Sequence, residues 1–269
     1  MADCFVDSGH LLAQTKDLIK MNHETRHVVV PGGAGGIGRA VATRFAQAGC
    51  TVHLLGRNLT TLTQAASDIA SETGATVMPV LCDLEQAASI AQAFAGLPGI
   101  DVLVNAAGSI PRKSLHETLP EDWRGSWSGK VLGAIETSRL ACDRMRHTGG
   151  GVIVNVIGIA GVKFNPKSIM TTTANAALIA FTEALGAQSV DWNIRVVGIN
   201  PGLTATPRTE ELAAGRGGDA YKAALKDMPF QRMAKAQEIA ECTWFLASES
   251  AQYISGTVID IDGGSRWRT

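Results

Sequence analysis

The 269-residue sequence lacks the features that mark several large classes of protein. Its five cysteines lie far apart and form no Cys-x-x-Cys pair, so neither a zinc site nor a disulfide framework is indicated. The six histidines show no metal-binding spacing, and we predict no metal site. No apolar run is long enough to cross a bilayer. A formal net charge of −1 without a long Lys/Arg cluster argues against nucleic acid as the main ligand. We expect a cytoplasmic protein without a membrane or nucleic-acid partner.

Aromatic residues are also scarce, at 5% of the chain, and only two of them are tyrosines. Tyr253 lies beside the last predicted strand, and we expect it to be structural. Tyr221 lies in a stretch over 203–228 that has no clean periodicity. Long aperiodic segments of this kind are often active-site lids, so Tyr221 either enters the site on closure or lies on the surface.

Hydrophobic residues are plentiful, at 45%, and from residue 26 onward short apolar runs alternate with longer amphipathic ones. Alternation of this kind predicts an α/β fold, a Rossmann-like doubly wound parallel sheet with helices on both faces. With no linker or repeat in view, we predict one domain over 26–269. Residues 1–25 form an N-terminal extension, which either packs on the domain as a short helix or is dispensable, with Met21 as an alternative start.

A glycine-rich segment joins the first predicted strand to the first predicted helix. Gly33, Gly35 and Gly38 satisfy a G-x-G-x-x-G pattern, while Gly32, Gly36 and Gly38 satisfy G-x-x-x-G-x-G. Glycine allows the backbone to turn sharply and to approach a pyrophosphate at the helix N-terminus. At this junction the motif predicts a dinucleotide site, although a glycine motif alone also fits a simple tight turn.

The end of the second predicted strand bears on the choice of cofactor. NAD sites usually place a carboxylate there to hold the adenosine ribose, but this chain has Arg57 and Asn58. An arginine can pair with a 2′-phosphate, so we predict NADP in preference to NAD. A solvated surface arginine is the alternative.

In this order along the chain, the motifs resemble those of the short-chain dehydrogenase/reductase family. Besides the glycine segment, with Pro31 in place of the family's threonine, the resemblance includes Asp83, the segment 105–108, the segment 200–206 and Asp262-Gly-Gly264. It implies cofactor contacts from Gly32, Gly35, Gly36, Ile37, Gly38, Arg57, Asp83, Leu84, Asn105, Ala106, Gly108, Pro201, Gly202, Thr204 and Thr206.

The same resemblance shows a departure at the catalytic positions. The family usually uses an Asn-Ser-Tyr-Lys tetrad, and here Lys130 stands at the Asn position, Gly158 at the Ser position, Thr171 at the Tyr position and Asn175 at the Lys position. A threonine hydroxyl has a far higher pKa than a phenol and cannot act as the same acid near neutral pH. Losing a general acid typically lowers the rate by about 10²–10⁴-fold.

The Asn and Lys identities are exchanged between two helices, which leads to a hypothesis about Lys130. Its ammonium can reach the usual lysine space from the opposite side, where it stabilises an oxyanion or donates a proton. The alternative is a lysine that extends to solvent. Lys163 and Lys167 lie near the expected substrate mouth, where either can meet an anionic substrate or serve as a plain loop residue.

Three functions remain open at this point. The first is an NADP-dependent oxidoreductase that transfers hydride between the nicotinamide and a small carbonyl or alcohol, with Lys130, Thr171 and Asn175 in the catalytic site. The second is a catalytically inactive NADP-binding protein that acts through partners or assembly, and the third is non-redox chemistry on the same fold. By resemblance we also expect a homotetramer or homodimer formed through the helices over 123–146 and 168–189 and the last strand.

Overall fold

A computed structural model describes residues 26–215 and 225–268 of the chain. Its centre is a sheet of seven parallel strands, in the order β3-β2-β1-β4-β5-β6-β9. The strands are β1 (His27–Pro31), β2 (Thr51–Gly56), β3 (Val77–Leu81), β4 (Val102–Asn105), β5 (Gly151–Val156), β6 (Ile194–Pro201) and β9 (Thr257–Ile261). Two short strands, β7 (Thr204–Ala205) and β8 (Ala234–Lys235), pair separately. The predicted Rossmann-like α/β fold is confirmed.

Helices cover both faces of this sheet. They are α1 (Gly36–Gln47), α2 (Leu59–Thr73), α3 (Ala87–Ala95), α4 (Pro120–Ser126), α5 (Gly133–Thr148), α6 (Ile169–Gln188), α7 (Pro207–Ala214) and α8 (Ala236–Ala247). Successive residues of β1 enter opposite layers, because side chains alternate across a strand. Val30 packs in the layer that holds Phe45 of α1, and Val29 packs in the layer that holds Phe94 of α3. Burial on both faces explains why the strands read as continuous Val/Ile/Leu runs.

The strand order reverses direction next to β1. The chain runs outward from β1 to β2 and β3, then returns to β4 on the other side of β1. The connections after β1 and β4 therefore diverge and leave a crevice at the carboxyl ends of these strands, where ligands of such sheets bind.

The long helix predicted over 123–146 is interrupted. It begins at Pro120, passes through a π-helical segment at Trp127–Leu132, and continues as α5 to Thr148. Such π-helical segments often occur at functional sites. This one contains Lys130, which is buried.

Some predictions fall outside the described residues, namely those on the extension 1–25 and on Tyr221. Part of the aperiodic stretch 203–228 is ordered as β7 and α7. The prediction of a structural role for Tyr253 is wrong for the single chain, because its side chain is fully exposed. The four described cysteines are free. Within 26–215 and 225–268, no helix is long and apolar enough to cross a membrane, and no cluster of three or more metal-binding side chains is found.

Candidate functional site

The glycine segment forms a tight loop between β1 and α1. The Gly32 N–H donates to the Leu55 carbonyl at 2.8 Å, and the Gly35 N–H donates to the Gly32 carbonyl at 3.0 Å. A Cβ on Gly38 would lie 2.2 Å from the Gly32 carbonyl oxygen, so only glycine fits there. The first helical N–H groups, including those of Gly36 and Ile37, have no acceptor within the helix, and this exposed set of donors suits an anion.

The loop also contacts the two neighbouring segments of the crevice. A Cβ on Gly32 would lie 2.7 Å from the Ala107 Cα, and a Cβ on Gly36 would lie 2.5 Å from the Thr206 Cγ2. Pro31, which replaces the family's threonine, ends β1, and its carbonyl accepts the Ala106 N–H at 3.1 Å. The loops after β1, β4 and β6 therefore meet at one place, as the order of the motifs predicts.

The segments after β2 and β3 lie side by side. Arg57 follows β2 with 77% of its side chain exposed, and its Nη1 lies 3.4 Å from Glu85 Oε1. Asp83 follows β3, and its Oδ1 accepts the Glu85 N–H at 3.0 Å. Leu84 packs against Gly133, the first residue of α5. Arg57 is thus accessible to a ligand, but one carboxylate already stands beside it.

Asn105 differs from the expectation of a cofactor contact. Its side chain is buried, and its Nδ2 donates to Asn155 Oδ1 at 2.9 Å and to Ser138 Oγ at 3.1 Å. Its Oδ1 accepts from Thr137 Oγ1 at 2.8 Å. These bonds tie β4 to β5 and α5, so the side chain serves the scaffold. Gly108, two residues beyond Ala106, packs on the aliphatic stem of Lys130.

The segment after β6 is held by hydroxyl groups. Pro201 ends the strand, and the Gly202 N–H donates to the Ile261 carbonyl of β9 at 2.9 Å. Thr204 is buried, and its carbonyl accepts from Thr209 Oγ1 at 2.7 Å. Thr206 precedes α7, and its N–H donates to the same Thr209 hydroxyl at 2.8 Å. This network fixes the wall that contacts the glycine loop.

Lys130 is buried rather than extended to solvent, with only 8% of its surface exposed. The alternative interpretation, a lysine that extends to solvent, is therefore wrong. Its Nζ donates to the Ile157 carbonyl at 3.0 Å, directly beyond the end of β5. Burial lowers the pKa of the Lys130 ammonium to about 8, because desolvation disfavours the charged form. No carboxylate pairs with it in the described part of the chain.

Asn175 binds the next carbonyl of the same segment. Its Nδ2 donates to the Gly158 carbonyl at 3.1 Å, while its buried Oδ1 has no partner in the described structure. Thr171 lies one turn earlier on α6, and its hydroxyl oxygen is likewise buried without a partner. Gly158 has φ +126°, and a Cβ there would lie 2.9 Å from Asn175 Nδ2. The exchanged residues thus converge on consecutive carbonyls after β5.

Lys163 and Lys167 are the two cations that the sequence analysis expected near the substrate mouth. Lys163 is committed elsewhere, because its Nζ donates to the carbonyls of Ser265 and Arg268. Lys167 is exposed at the turn before α6. Sequence reasoning missed Arg112, whose Nε donates to Ser168 Oγ at 3.2 Å. Only its position four residues after Gly108 signalled that it lies near the crevice.

A glycine loop at a first strand–helix junction, within a parallel sheet whose order reverses beside it, defines a dinucleotide-binding protein. Comparison with known proteins identifies the family. A family model described as "Enoyl-(Acyl carrier protein) reductase" matches residues 32–266. An uncharacterized oxidoreductase of Thermotoga maritima is 30% identical over 268 residues, which cover 91% of this chain and 99% of the relative.

Two other relatives have named activities. The 3-oxoacyl-(acyl-carrier-protein) reductase of Thermotoga maritima is 32% identical, over 91% of this chain and 99% of its own. The crystal structure of L-sorbose reductase from Gluconobacter frateurii, complexed with NADPH and L-sorbose, superposes with a TM-score of 0.84 at 30% identity, over 89% of this chain and 96% of its own. The chain belongs to the short-chain dehydrogenase/reductase family, and the relatives named here are oxidoreductases.

Proposed function

We propose that this chain is an NADP-dependent oxidoreductase that interconverts a small carbonyl compound and its alcohol at an atypical catalytic site. The observation that carries the proposal is the buried Lys130 ammonium, held at the carboxyl end of β5 by the Ile157 carbonyl. A buried cation without a paired carboxylate is costly, which favours a functional reason for its presence.

The glycine cradle fits a dinucleotide on structural grounds. Its backbone contacts leave no room for a Cβ at Gly38, and its helix presents free N–H groups to a pyrophosphate. The exposed Arg57 guanidinium would pair with the 2′-phosphate of NADP. When bound, the nicotinamide supplies or accepts the hydride. The residues after β3, β4 and β6 would line the adenine and nicotinamide ends.

Lys130 would act as the general acid in place of the family's tyrosine. With a pKa of about 8, most Lys130 side chains are protonated at neutral pH and remain able to give up a proton. During reduction the carbonyl carbon gains the hydride, and the Nζ–H donates its proton to the carbonyl oxygen. The unpartnered Asn175 Oδ1 accepts only, so it would take a hydrogen bond from a ribose hydroxyl. Thr171 would orient the substrate oxygen.

The structure also gives a reason to retain a second candidate. Gly158 has no side-chain hydroxyl, and its carbonyl accepts a hydrogen bond from the Asn175 amide. The residues at two of the tetrad positions therefore bind each other. An NADP-binding protein without turnover, acting through partners or assembly, would retain the glycine cradle and tolerate this arrangement. In either case we propose a homotetramer or homodimer. Support comes from the exposed Leu115, Leu119 and Leu132 around the interrupted helix.

Titration with NADPH and NADH, followed by thermal shift, tests the cofactor half first. We expect tighter binding and larger stabilisation with NADPH. A screen of carbonyl compounds with NADPH then tests turnover. Lys130→Met should lower kcat by about 10²–10⁴-fold, and exposed Lys226→Met serves as the control. In wild type, carbonyl reduction should fall as pH rises through about 8, because the acid form of Lys130 is lost. Unchanged turnover in Lys130→Met would exclude the catalytic role.

A further inference from the structure

Arg112 is held at the start of α6, the helix that carries Thr171 and Asn175. Its Nε donates to Ser168 Oγ at 3.2 Å, and Ser168 is the buried residue that precedes α6. The bond occupies one of the five N–H groups of the guanidinium, and the others are free to bind a ligand. Unlike its neighbour Lys113, which pairs with Asp122 at 2.7 Å, Arg112 has no carboxylate within 4.0 Å among the described residues.

Ser168, the residue that Arg112 contacts, lies on the same face of α6 as the proposed catalytic residues. Ser168, Thr171 and Asn175 are spaced three and four residues apart, so they lie in one row along α6. The rise of an α-helix puts Thr171 about 4.5 Å beyond Ser168 along the axis and Asn175 about 6 Å further. The row therefore runs from Arg112, past the unpartnered Thr171 hydroxyl, to the carbonyls that bind Asn175 and Lys130.

The charges at the two ends of this row are positive. Arg112 stands at one end, and the buried Lys130 ammonium lies beyond the other. The N-terminus of the 20-residue α6 adds partial positive charge between them, and Ser168 makes no side-chain cap that would neutralise it. Two acidic groups of the adjoining loop have partners of their own, since Asp122 pairs with Lys113 and Glu117 accepts a hydrogen bond from the Ser114 N–H.

From this juxtaposition we infer that the substrate is a short carbonyl compound that carries a carboxylate, with Arg112 as the carboxylate-binding residue. The inference rests on the proposed oxidoreductase function and specifies its substrate class. The reacting carbonyl lies at Thr171, within reach of the Lys130 proton, and the carboxylate binds at Arg112 and Ser168. Reduction converts the keto acid to a hydroxy acid, since the carbonyl carbon gains a hydride and its oxygen a proton while the carboxylate is unchanged.

The test compares acids with their uncharged esters. NADP⁺-loaded protein is titrated with 2-oxopentanoate, 4-oxopentanoate and the methyl ester of each, and binding is followed by thermal shift. We expect at least one acid to bind about tenfold or more tightly than its ester, as a charge-assisted contact predicts. Arg112→Gln should abolish this difference, and Arg112→Lys should retain part of it. Arg124→Gln removes an exposed arginine of α4 and should leave it intact.

The possible outcomes test the keto-acid inference and the oxidoreductase proposal independently. Equal binding of acids and esters, no binding of either, or undiminished acid binding by Arg112→Gln overturns the keto-acid inference. If an acid binds through Arg112 but NADPH is not consumed, the substrate-class inference holds and the oxidoreductase proposal fails. If esters and acids are reduced equally well, the oxidoreductase proposal holds and the role of Arg112 is refuted.

Discussion

The two halves of the crevice are built from different kinds of chemical group. On the β1 side, the motif works through backbone atoms, namely the N–H groups of α1 and the carbonyl of Gly32 packed under Gly38. On the β5 side, the proposed catalytic site depends on side chains. These side chains are ordered, since Lys130 and Asn175 each bind one of two consecutive carbonyls.

The contrast shows which kind of function tolerates substitution. A site built from backbone donors needs glycine at fixed places, because a Cβ on Gly32 or Gly38 would lie within 3 Å of main-chain atoms. A site built from side chains can be rebuilt on the same scaffold, because the strand ends and helix faces still bring new side chains together. The network around Asn105 supports this scaffold, and it lies between the two halves.

The largest expected effect comes from adding one methyl group on the β1 side. In Gly38→Ala, the new Cβ meets the Gly32 carbonyl oxygen at 2.2 Å, so the loop must shift. We expect a loss of about 3 kcal/mol in unfolding free energy, together with loss of NADPH binding, measured by urea denaturation and fluorescence titration. Gly35→Ala is the matched control, because its Cβ would lie 3.4 Å from the same oxygen. Comparable destabilisation by both variants would contradict this account of the loop.

A second prediction concerns the stability of the β1 side under acid. His53 of β2 is buried against His27 of β1, with Nε2 and Nδ1 3.2 Å apart. Burial, and then the charge of His27, lower the pKa of His53 to about 4 from 6.5. The unfolded chain therefore binds a proton at a higher pH than the folded chain does. Stability is lost as pH falls from about 6.5 towards 4, by about 2–3 kcal/mol at pH 4.5.

The measurement is the urea unfolding free energy between pH 7 and 4.5. His53→Gln should flatten the acid slope relative to wild type, whereas His116→Gln, at an exposed position, should leave the slope as it is. An unchanged slope in His53→Gln would show that carboxylates alone account for the acid sensitivity.

On the β5 side, restoring a family residue should harm the protein. Gly158 has φ +126° and ψ 145°, a region almost confined to glycine, and a Cβ there would lie 2.9 Å from Asn175 Nδ2. Gly158→Ser should therefore cost about 2 kcal/mol of unfolding free energy and gain no carbonyl-reductase activity. Gly125→Ala in α4 meets nothing within 4 Å and should be neutral or stabilising. A stable, more active Gly158→Ser variant would mean that the β5 side has lost catalytic function, and that Lys130 and Asn175 do not form a new catalytic arrangement.

The same contrast explains how much the sequence could predict. Strands, helices and the glycine loop follow from periodicity and from backbone requirements that only glycine meets, so the fold and the place of this loop were predicted. The burial of Lys130 was left open, because this residue lies in the π-helical turn at Trp127–Leu132, and no periodicity marks such a turn. The Arg112–Ser168 bond joins residues 56 positions apart and leaves no local signal. Asn105 looked like a cofactor contact because its motif resembles one, whereas its partners lie on other elements.

The smallest expected effect concerns cofactor choice. Glu85 Oε1 stands 3.4 Å from Arg57 Nη1, at the place proposed for the 2′-phosphate, and both side chains are largely exposed. Its negative charge competes with that phosphate for the guanidinium. Glu85→Gln should therefore tighten NADPH binding by about threefold, in line with the weak energies of exposed ion pairs, and leave NADH binding unchanged.

Glu121→Gln, an exposed carboxylate on α4, controls for net charge, and raising the salt concentration should shrink the effect through screening. If NADH gained as much as NADPH, Glu85 would act on the shared part of the cofactor rather than on the 2′-phosphate. If neither cofactor gained, Arg57 would be a solvated arginine, and the cofactor preference of the β1 side would have to come from other residues.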